Sequence, residues 1–171
     1  MEGNHKLLTN LYVPKEDGST TEIDLLLISE SGILVFESKN YSGWIYGNEK
    51  YQKWTQIFPN KKKYQFFNPI WQNNGHISAL KNVMKLENDA LFKSYIIFSE
   101  RYTLKKITLQ SENVKVIKTN RLIPNVKRDI VESPKILSPE QVQVIYKVLG
   151  RYALADEVTK QAHIAAVKAK V

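Results

Sequence analysis

Four ionisable side chains lie inside two apolar segments of this sequence, where a charge is costly unless it has a use. They occur in TEIDLLLISESGILVFESKNYSG, residues 21–43, and are Glu22, Asp24, Glu37 and Lys39. If residues 29–32 form a four-residue hairpin loop, Asp24 faces Glu37 and Glu22 faces Lys39 across the two strands. Both pairs then share one face of the hairpin, because side chains alternate between the two faces of a strand.

Two carboxylates in directly opposite positions repel each other. Their Cβ atoms lie about 5 Å apart, and the repulsion is roughly 3 kcal/mol at an effective dielectric constant of about 20. A good cross-strand pair contributes only about 0.2–1 kcal/mol. Two arrangements would offset the repulsion between Asp24 and Glu37: one acid binds a proton, or a divalent cation lies between them.

Oxygen ligands suit Mg²⁺ or Mn²⁺, and Mg²⁺ is usually held by one or two carboxylates together with water and substrate phosphate. Lys39 would then lie beside the metal, where it could position a water or stabilise charge that develops on a phosphodiester. The same spacing also fits an exposed ion pair of Glu22 with Lys39 and a solvated sheet edge at Asp24. Spacing alone leaves both interpretations open, because a register slip of one residue would break the pairing.

The pattern along the chain predicts the elements that position these residues. Apolar, β-rich runs predict strands at 7–13, 21–28, 33–39, 94–99 and 114–118. The polar and aromatic segment 41–67 predicts loops with at most one short strand. Asn68 and Pro69 predict the start of a helix that runs to about Leu86. Ser138 and Gln141 form a capping box that starts a second helix, which we expect Gly150 to end.

These residues resemble a known family. The run TEIDLLLISESGILVFESKNYSGWIYG, followed by FFNPIWQNNGHISAL, is similar to the nuclease-related domain (NERD) family of the PD-(D/E)XK, or restriction-endonuclease-like, superfamily. The similarity covers roughly residues 7–150. It implies an α/β fold with a restriction-endonuclease-like core, in which helices flank a mixed central β-sheet of about five or six strands.

The resemblance also implies roles for individual residues. Asp24 and Glu37 would bind the metal, Lys39 would be the catalytic lysine, and Gln72 would approach the site from the helix. The carbonyl of Ser38 would be a backbone ligand, and Glu22 would support the site. The implied cofactor is Mg²⁺ or Mn²⁺, and the implied reaction is phosphodiester hydrolysis, with DNA as the expected partner.

One departure from the family concerns the N-terminus. Members usually begin with a helix whose Gly-Glu motif supplements the metal site, whereas about six residues precede the first predicted strand here. We therefore expect this helix to be missing, with Glu2 and Gly3 as a remnant. The sheet surface that it would cover would then be closed by the C-terminal tail or by a second copy in a homodimer.

Basic and aromatic residues near the predicted site indicate nucleic-acid contacts. Lysines can contact phosphates and exposed rings can stack on bases. The candidates are Lys61, Lys62, Lys63, Tyr41 and Trp44, although a solvated loop over packed aromatic side chains explains the same pattern. The three histidines, His5, His76 and His163, show no ligand spacing to one another.

Composition sets the remaining expectations. The 171 residues, of which 43% are hydrophobic, suffice for one domain at 1–150 and a helical tail at 151–171. The net charge of +8 favours a polyanionic partner. Without cysteine there is no disulfide or thiolate metal site, and no apolar run predicts a membrane span or leader, so we expect a cytoplasmic protein.

The leading hypothesis is a metal-dependent nuclease. An inactive or weak nucleic-acid-binding module that keeps the nuclease fold is the alternative, and it predicts salt-dependent, metal-independent binding. A protein-interaction domain would show neither binding nor cleavage.

Overall fold

Among the residues that the structure describes, nine strands form two mixed sheets. The computed structural model describes residues 4–40, 42–153 and 163–168. The strands are β1 (His5–Pro14), β2 (Thr20–Ser29), β3 (Gly32–Lys39), β4 (Gly43–Asn48), β5 (Lys53–Ile57), β6 (Lys63–Phe67), β7 (Phe92–Phe98), β8 (Tyr102–Thr108) and β9 (Val114–Lys118). The first sheet has the order β1-β2-β3-β7-β9 and the second has the order β6-β5-β4-β8. The predicted α/β class with a mixed sheet and flanking helices is confirmed.

Helices cover both faces of the first sheet. They are α1 (Pro69–Met84), α2 (Leu122–Glu132), α3 (Pro139–Ala153) and α4 (residues 163–168). On one face, α1 and α3 pack with β1, β2 and β3 around the largest apolar core, to which α3 contributes Val142, Ile145 and Leu149. On the other face, Val126 of α2 packs in a separate core with Leu34 and Phe36. The sheet surface beside β1 is therefore covered by α3, and a homodimer over this surface stays a prediction.

The predicted hairpin pairing is confirmed near its turn. Ile28 pairs with Ile33, and Leu25 pairs with Phe36. The loop differs from the prediction, because Ser29 already pairs with Gly32 and only Glu30 and Ser31 turn the chain. The shorter turn leaves the register unchanged, since it removes one residue from each side of the loop.

At its far end the hairpin differs from the prediction. Among the described residues, the ladder between β2 and β3 ends at Leu25–Phe36. The predicted ladder pairs Asp24–Glu37 and Glu22–Lys39 are therefore wrong, because the two strands stop pairing just before the first charged positions.

The alternation of side chains also breaks at Asp24. Ile23 and Leu26 are both fully buried in the same core, although strict alternation would put them on opposite faces. The neighbouring strand breaks in the same place, where Asn10 has a left-handed φ of 54° and Leu8 and Leu11 enter that core together. Glu22 and Asp24 therefore do not continue the buried face formed by Leu26 and Ile28, as strict alternation would require.

Both predicted helix starts are confirmed. The Asn68 side chain accepts hydrogen bonds from the amides of Ile70 and Trp71 at 2.8 and 3.4 Å. The Ser138 and Gln141 side chains cap each other's backbone amides. The end predicted at Gly150 is wrong, because α3 continues to Ala153, and the division of the chain into 1–150 and 151–171 stays a prediction.

The segment 41–67 differs most from expectation. Instead of loops it contains β4, β5 and β6, which form most of the second sheet. Gly47 permits this packing, because a Cβ atom there would lie 2.2 Å from the Trp54 ring. Trp54 packs in turn on Phe98 of the first sheet, and the two ring centroids are 6.4 Å apart. A tertiary contact therefore organises a segment whose own sequence favours turns.

Candidate active site

An acid and a lysine, Glu37 and Lys39, lie at the end of β3. Ile33 and Val35 lie in the apolar core beneath α1, and alternation places Glu37 next on that face. Glu37 is 8% exposed, whereas Ser38 is exposed on the opposite side of the strand. A carboxylate is thus held with little access to solvent at the point where β3 stops pairing with β2.

Lys39 joins the strand to the helix. Its Nζ atom donates a hydrogen bond to Oε1 of Gln72 at 2.8 Å and lies 3.4 Å from Oε1 of Glu37. The lysine side chain is 17% exposed, so its ammonium group is oriented by these two partners rather than by bulk water. Glu37, Lys39 and Gln72, all predicted as site residues, are therefore neighbours in the fold.

Helix α1 is anchored to the sheet by Asn73. Its amide nitrogen donates to the Val35 carbonyl at 2.9 Å and to Oγ of Ser94 at 2.8 Å. This residue is fully buried and bridges β3 and β7. Because Gln72 is the adjacent residue on the helix, the same anchor sets the position of Gln72 over the end of β3.

Sequence reasoning missed His76. This residue is 5% exposed, and its Nδ1 atom lies 3.2 Å from Oδ1 of Asn73 and 3.5 Å from Oε2 of Glu37. Burial, and then the positive charges of Lys39 and Lys15, lower the pKa of His76 to about 4. The imidazole is therefore neutral at pH 7 and meets Glu37 as a dipole rather than as a cation.

The signal for His76 was present in the spacing. Gln72 and His76 are four residues apart, so a helix places them on one face, one turn from each other. Asn73 and His76 share that face at a spacing of three. The sequence contained this polar stripe, but only the packing of α1 on β3 shows that it meets Glu37.

The pKa of Glu37 is raised from its usual value of 4.5. Burial is the largest cause, and the negative charges of Asp24 and Glu22 add to it. Lys39 opposes these effects by its charge and its hydrogen bond. Burial is thus the main reason that Glu37 resists ionisation, and a cation bound at its carboxylate would favour the charged form.

Asp24 and Glu22 lie on the neighbouring strand. Asp24 is exposed, and both carboxylates are near enough to affect Glu37 although neither is in its ladder. Oε2 of Glu22 lies 3.7 Å from Nε2 of His163 in α4. His163 also shares a 2.8 Å hydrogen bond with Oγ1 of Thr20, so the C-terminal helix docks beside this acid.

The residues predicted to contact nucleic acid lie outside this cluster. Trp44 is 47% exposed at the start of β4. Lys61 and Lys62 are exposed at the turn between β5 and β6, and Lys63 is exposed at the start of β6. Tyr41 and the predicted remnant Glu2 and Gly3 lie outside the described residues.

Comparison with known proteins identifies the family. Residues 1–99 match the nuclease-related domain, NERD. The chain belongs to the NERD family. This family lies within the PD-(D/E)XK superfamily, and the match includes β2, β3 and α1, which carry the site residues.

A relative in Bacillus anthracis supports the assignment. It is an uncharacterized protein that is 35% identical over 164 residues, which cover 94% of this chain and 73% of the relative. No solved structure matches the chain. Among the described residues, no helix is long and apolar enough to cross a membrane.

The donor atoms of the NERD site fit the divalent metal that the family implies. Asp24, Glu37 and the Ser38 carbonyl offer only oxygen, the ligand atom that Mg²⁺ and Mn²⁺ prefer. In the described part of the chain no three His, Asp or Glu side chains form a complete metal centre. Mg²⁺ does not require one, because it is commonly held by one or two carboxylates with water and phosphate as the other ligands.

Proposed function

We propose that this NERD protein is a metal-dependent nuclease that hydrolyses phosphodiester bonds of DNA. The observation that carries the proposal is the contact of Lys39 with both Glu37 and Gln72 at the point where β2 and β3 separate. The buried carboxylate of Glu37, whose pKa is raised by burial and further by Asp24 and Glu22, would be stabilised in its charged form by a bound cation, and Lys39 lies beside it.

The roles of the side chains follow from this arrangement. Asp24, Glu37 and the Ser38 carbonyl would hold Mg²⁺ or Mn²⁺, which when bound polarises a phosphate and lowers the pKa of a bound water. Lys39 would orient the attacking water and stabilise the negative charge that grows on the phosphate oxygens. Gln72 keeps the ammonium group in position through its 2.8 Å hydrogen bond.

The neutral imidazole of His76 supports Glu37 from the side of the helix. Its Nδ1 atom lies nearest to the side-chain oxygen of Asn73, which indicates that Nδ1 carries the proton. The same N–H group also lies close to Oε2 of Glu37. Glu37 thus keeps one oxygen near Lys39 and the other near His76, and its orientation is set before substrate arrives.

The decisive test measures metal binding and cleavage together. Mg²⁺ and Mn²⁺ are titrated calorimetrically into the parent, Asp24→Asn and Lys39→Met, and each protein is incubated with plasmid and single-stranded DNA. Asp24→Asn should lose metal binding and cleavage, whereas Lys39→Met should lose at least 100-fold of the cleavage rate while still binding metal. Removing one charge-stabilising group typically costs about 10²–10³ in rate.

Matched controls separate this result from a general effect of charge. Glu132→Gln and Lys127→Met change exposed residues of α2 by the same chemistry and should cleave like the parent. Cleavage by Asp24→Asn or Lys39→Met at the parental rate would contradict the proposal. Salt-dependent DNA binding that needs no metal, without cleavage by the parent, would instead identify a binding module.

A further inference from the structure

The outer face of the second sheet has an unusual charge distribution. Its four strands, all within the described part of the chain, contain no acidic residue. They contain four lysines, all exposed: Lys53, Lys63, Lys105 and Lys106. A surface of this charge is stabilised by a polyanion, which releases counterions when it binds.

Aromatic side chains share this face with the lysines. Ile45 and Trp54 are buried on the inner face, so alternation places Trp44 and Tyr46 on the outer one. Trp44 is 47% exposed, and across the adjoining edge strand Phe67 is 42% exposed. Large exposed rings on an otherwise polar surface indicate a partner with flat, apolar groups.

The rings and the cations are in contact. Nζ of Lys105 lies 4.4 Å from the centroid of the Trp44 ring, within the range of a cation–π interaction. Tyr46 is the ladder neighbour of Lys106, and both line a shallow depression of about 330 Å³ together with Tyr51 and Lys53. Trp44 and Tyr46 thus each lie beside a lysine. This alternation of rings and charges matches a nucleic-acid strand, in which bases alternate with phosphates.

Glu49, an acid next to this face, is already hydrogen-bonded within the fold. The carboxylate of Glu49, which follows β4, accepts hydrogen bonds from the backbone amides of Gln110 and Ser111 at 3.1–3.3 Å. It therefore holds the segment that follows β8, whereas the four lysines lie within the strands. The lysines of the sheet remain available for an external anion.

This face begins beside the candidate active site. Trp44 follows Lys39 by five residues, so their Cα atoms are at most about 18 Å apart. The amide of Ser99 donates to the Lys39 carbonyl at 3.1 Å, and the Ser99 carbonyl in turn accepts from the amide of Tyr102, the first residue of β8. A strand of nucleic acid that leaves the site would meet the Trp44 end of the sheet first.

We infer that the outer face of the second sheet is a stacking platform that binds single-stranded nucleic acid. Single strands are favoured over a duplex because exposed rings stack on unpaired bases, whereas the bases of a duplex are stacked on one another. The inference rests on the proposed function only for its link to cleavage, since binding to the platform requires no metal.

The experiment measures the anisotropy of a fluorescein-labelled oligothymidylate mixed with the full chain in EDTA. Trp44→Ala should weaken binding by about 5- to 100-fold, the effect of removing one stacked base. Trp44→Phe should restore much of the affinity, because a ring remains. An unlabelled duplex of equal length should compete poorly with the single strand.

A second pair of variants tests the charges. Lys105→Ala/Lys106→Ala should lower the salt dependence of log K by about 0.7 for each phosphate that is no longer neutralised. Lys127→Ala/Lys147→Ala removes the same charge from exposed positions on α2 and α3 and should leave the slope and affinity unchanged. Circular dichroism confirms that all variants are folded.

The outcomes distinguish this inference from the proposed nuclease activity. Parental affinity in Trp44→Ala, or equal losses in the two lysine pairs, would overturn the platform even if DNA is cleaved. A duplex that competes as well as the single strand would also overturn it. Loss of binding in Trp44→Ala with no cleavage by the parent would support the platform and contradict the nuclease.

Discussion

Two polar clusters on opposite faces of the first sheet contain similar residues but differ in their roles. On the α1 face, Glu37 meets Lys39, Gln72 and His76. On the α2 face, Asp129 accepts a hydrogen bond from the Tyr95 hydroxyl and pairs with Lys115, whose Nζ lies 3.1 Å from its Oδ1. Each cluster pairs an acid with a lysine and adds hydrogen-bonding groups, which are Gln72 and His76 on one face and Tyr95 on the other.

The clusters differ in the electrostatic surroundings of the acid. Asp129 joins α2 to the sheet, and its two partners satisfy both of its oxygens. Glu37 has a raised pKa because burial and two nearby carboxylates outweigh Lys39, and it lies where the strands separate. An acid whose two oxygens are satisfied within the fold stabilises it, whereas a buried acid with two further carboxylates nearby is suited to binding a cation. The candidate site is therefore identified by a buried acid whose charged form is not fully stabilised by its neighbours.

The strongest test of this comparison is the variant Glu37→Gln. Cleavage should fall by at least 100-fold, because a metal-binding carboxylate is lost. The free energy of unfolding at pH 8 should stay the same or rise. An acid with a raised folded pKa stabilises the protein below its unfolded pKa and loses that contribution as pH rises.

Cleavage assays and urea unfolding at pH 8 measure the two effects in Glu37→Gln. A loss of stability that parallels the loss of cleavage would contradict the comparison, because Glu37 would then have a structural role like that of Asp129.

The next effect concerns His76 and pH. Its folded pKa of about 4 lies below the unfolded value of 6.5, so the unfolded chain binds the proton first as pH falls. Between pH 7 and pH 5 the metal-free parent should lose about 2 kcal/mol of stability from this residue. His76→Gln should lack this component, as urea unfolding in EDTA at both pH values will show; equal pH dependence in the two proteins would refute it.

The smallest effect is expected on the other face. Tyr95→Phe removes the hydroxyl that donates to Asp129 and should cost about 1–2 kcal/mol of unfolding free energy. Cleavage should remain within a factor of about two of the parent, because the change lies across the sheet from Glu37. A large loss of cleavage with unchanged stability would show that the two faces are coupled.

Local patterns predicted part of the site correctly. The hairpin near its turn was predictable because its pairing depends on neighbouring residues and a short loop. The start of α1 was predictable because its capping residue, Asn68, directly precedes the helix. The position of Asp24 was not, since the alternation rule fails where Asn10 of the adjacent strand adopts a left-handed conformation.

The sequence by itself determined the strand pair, the capped helix and the identity of Glu37, Lys39 and Gln72 as a set. Each of these depends on spacing within one short segment or on a family motif. Only the tertiary structure decided that His76 meets Glu37, that β2 and β3 separate before Asp24, and that residues 41–67 form a second sheet. These depend on contacts between residues far apart in the chain, such as Trp54 with Phe98, and the free energy of such packing overrides local propensity.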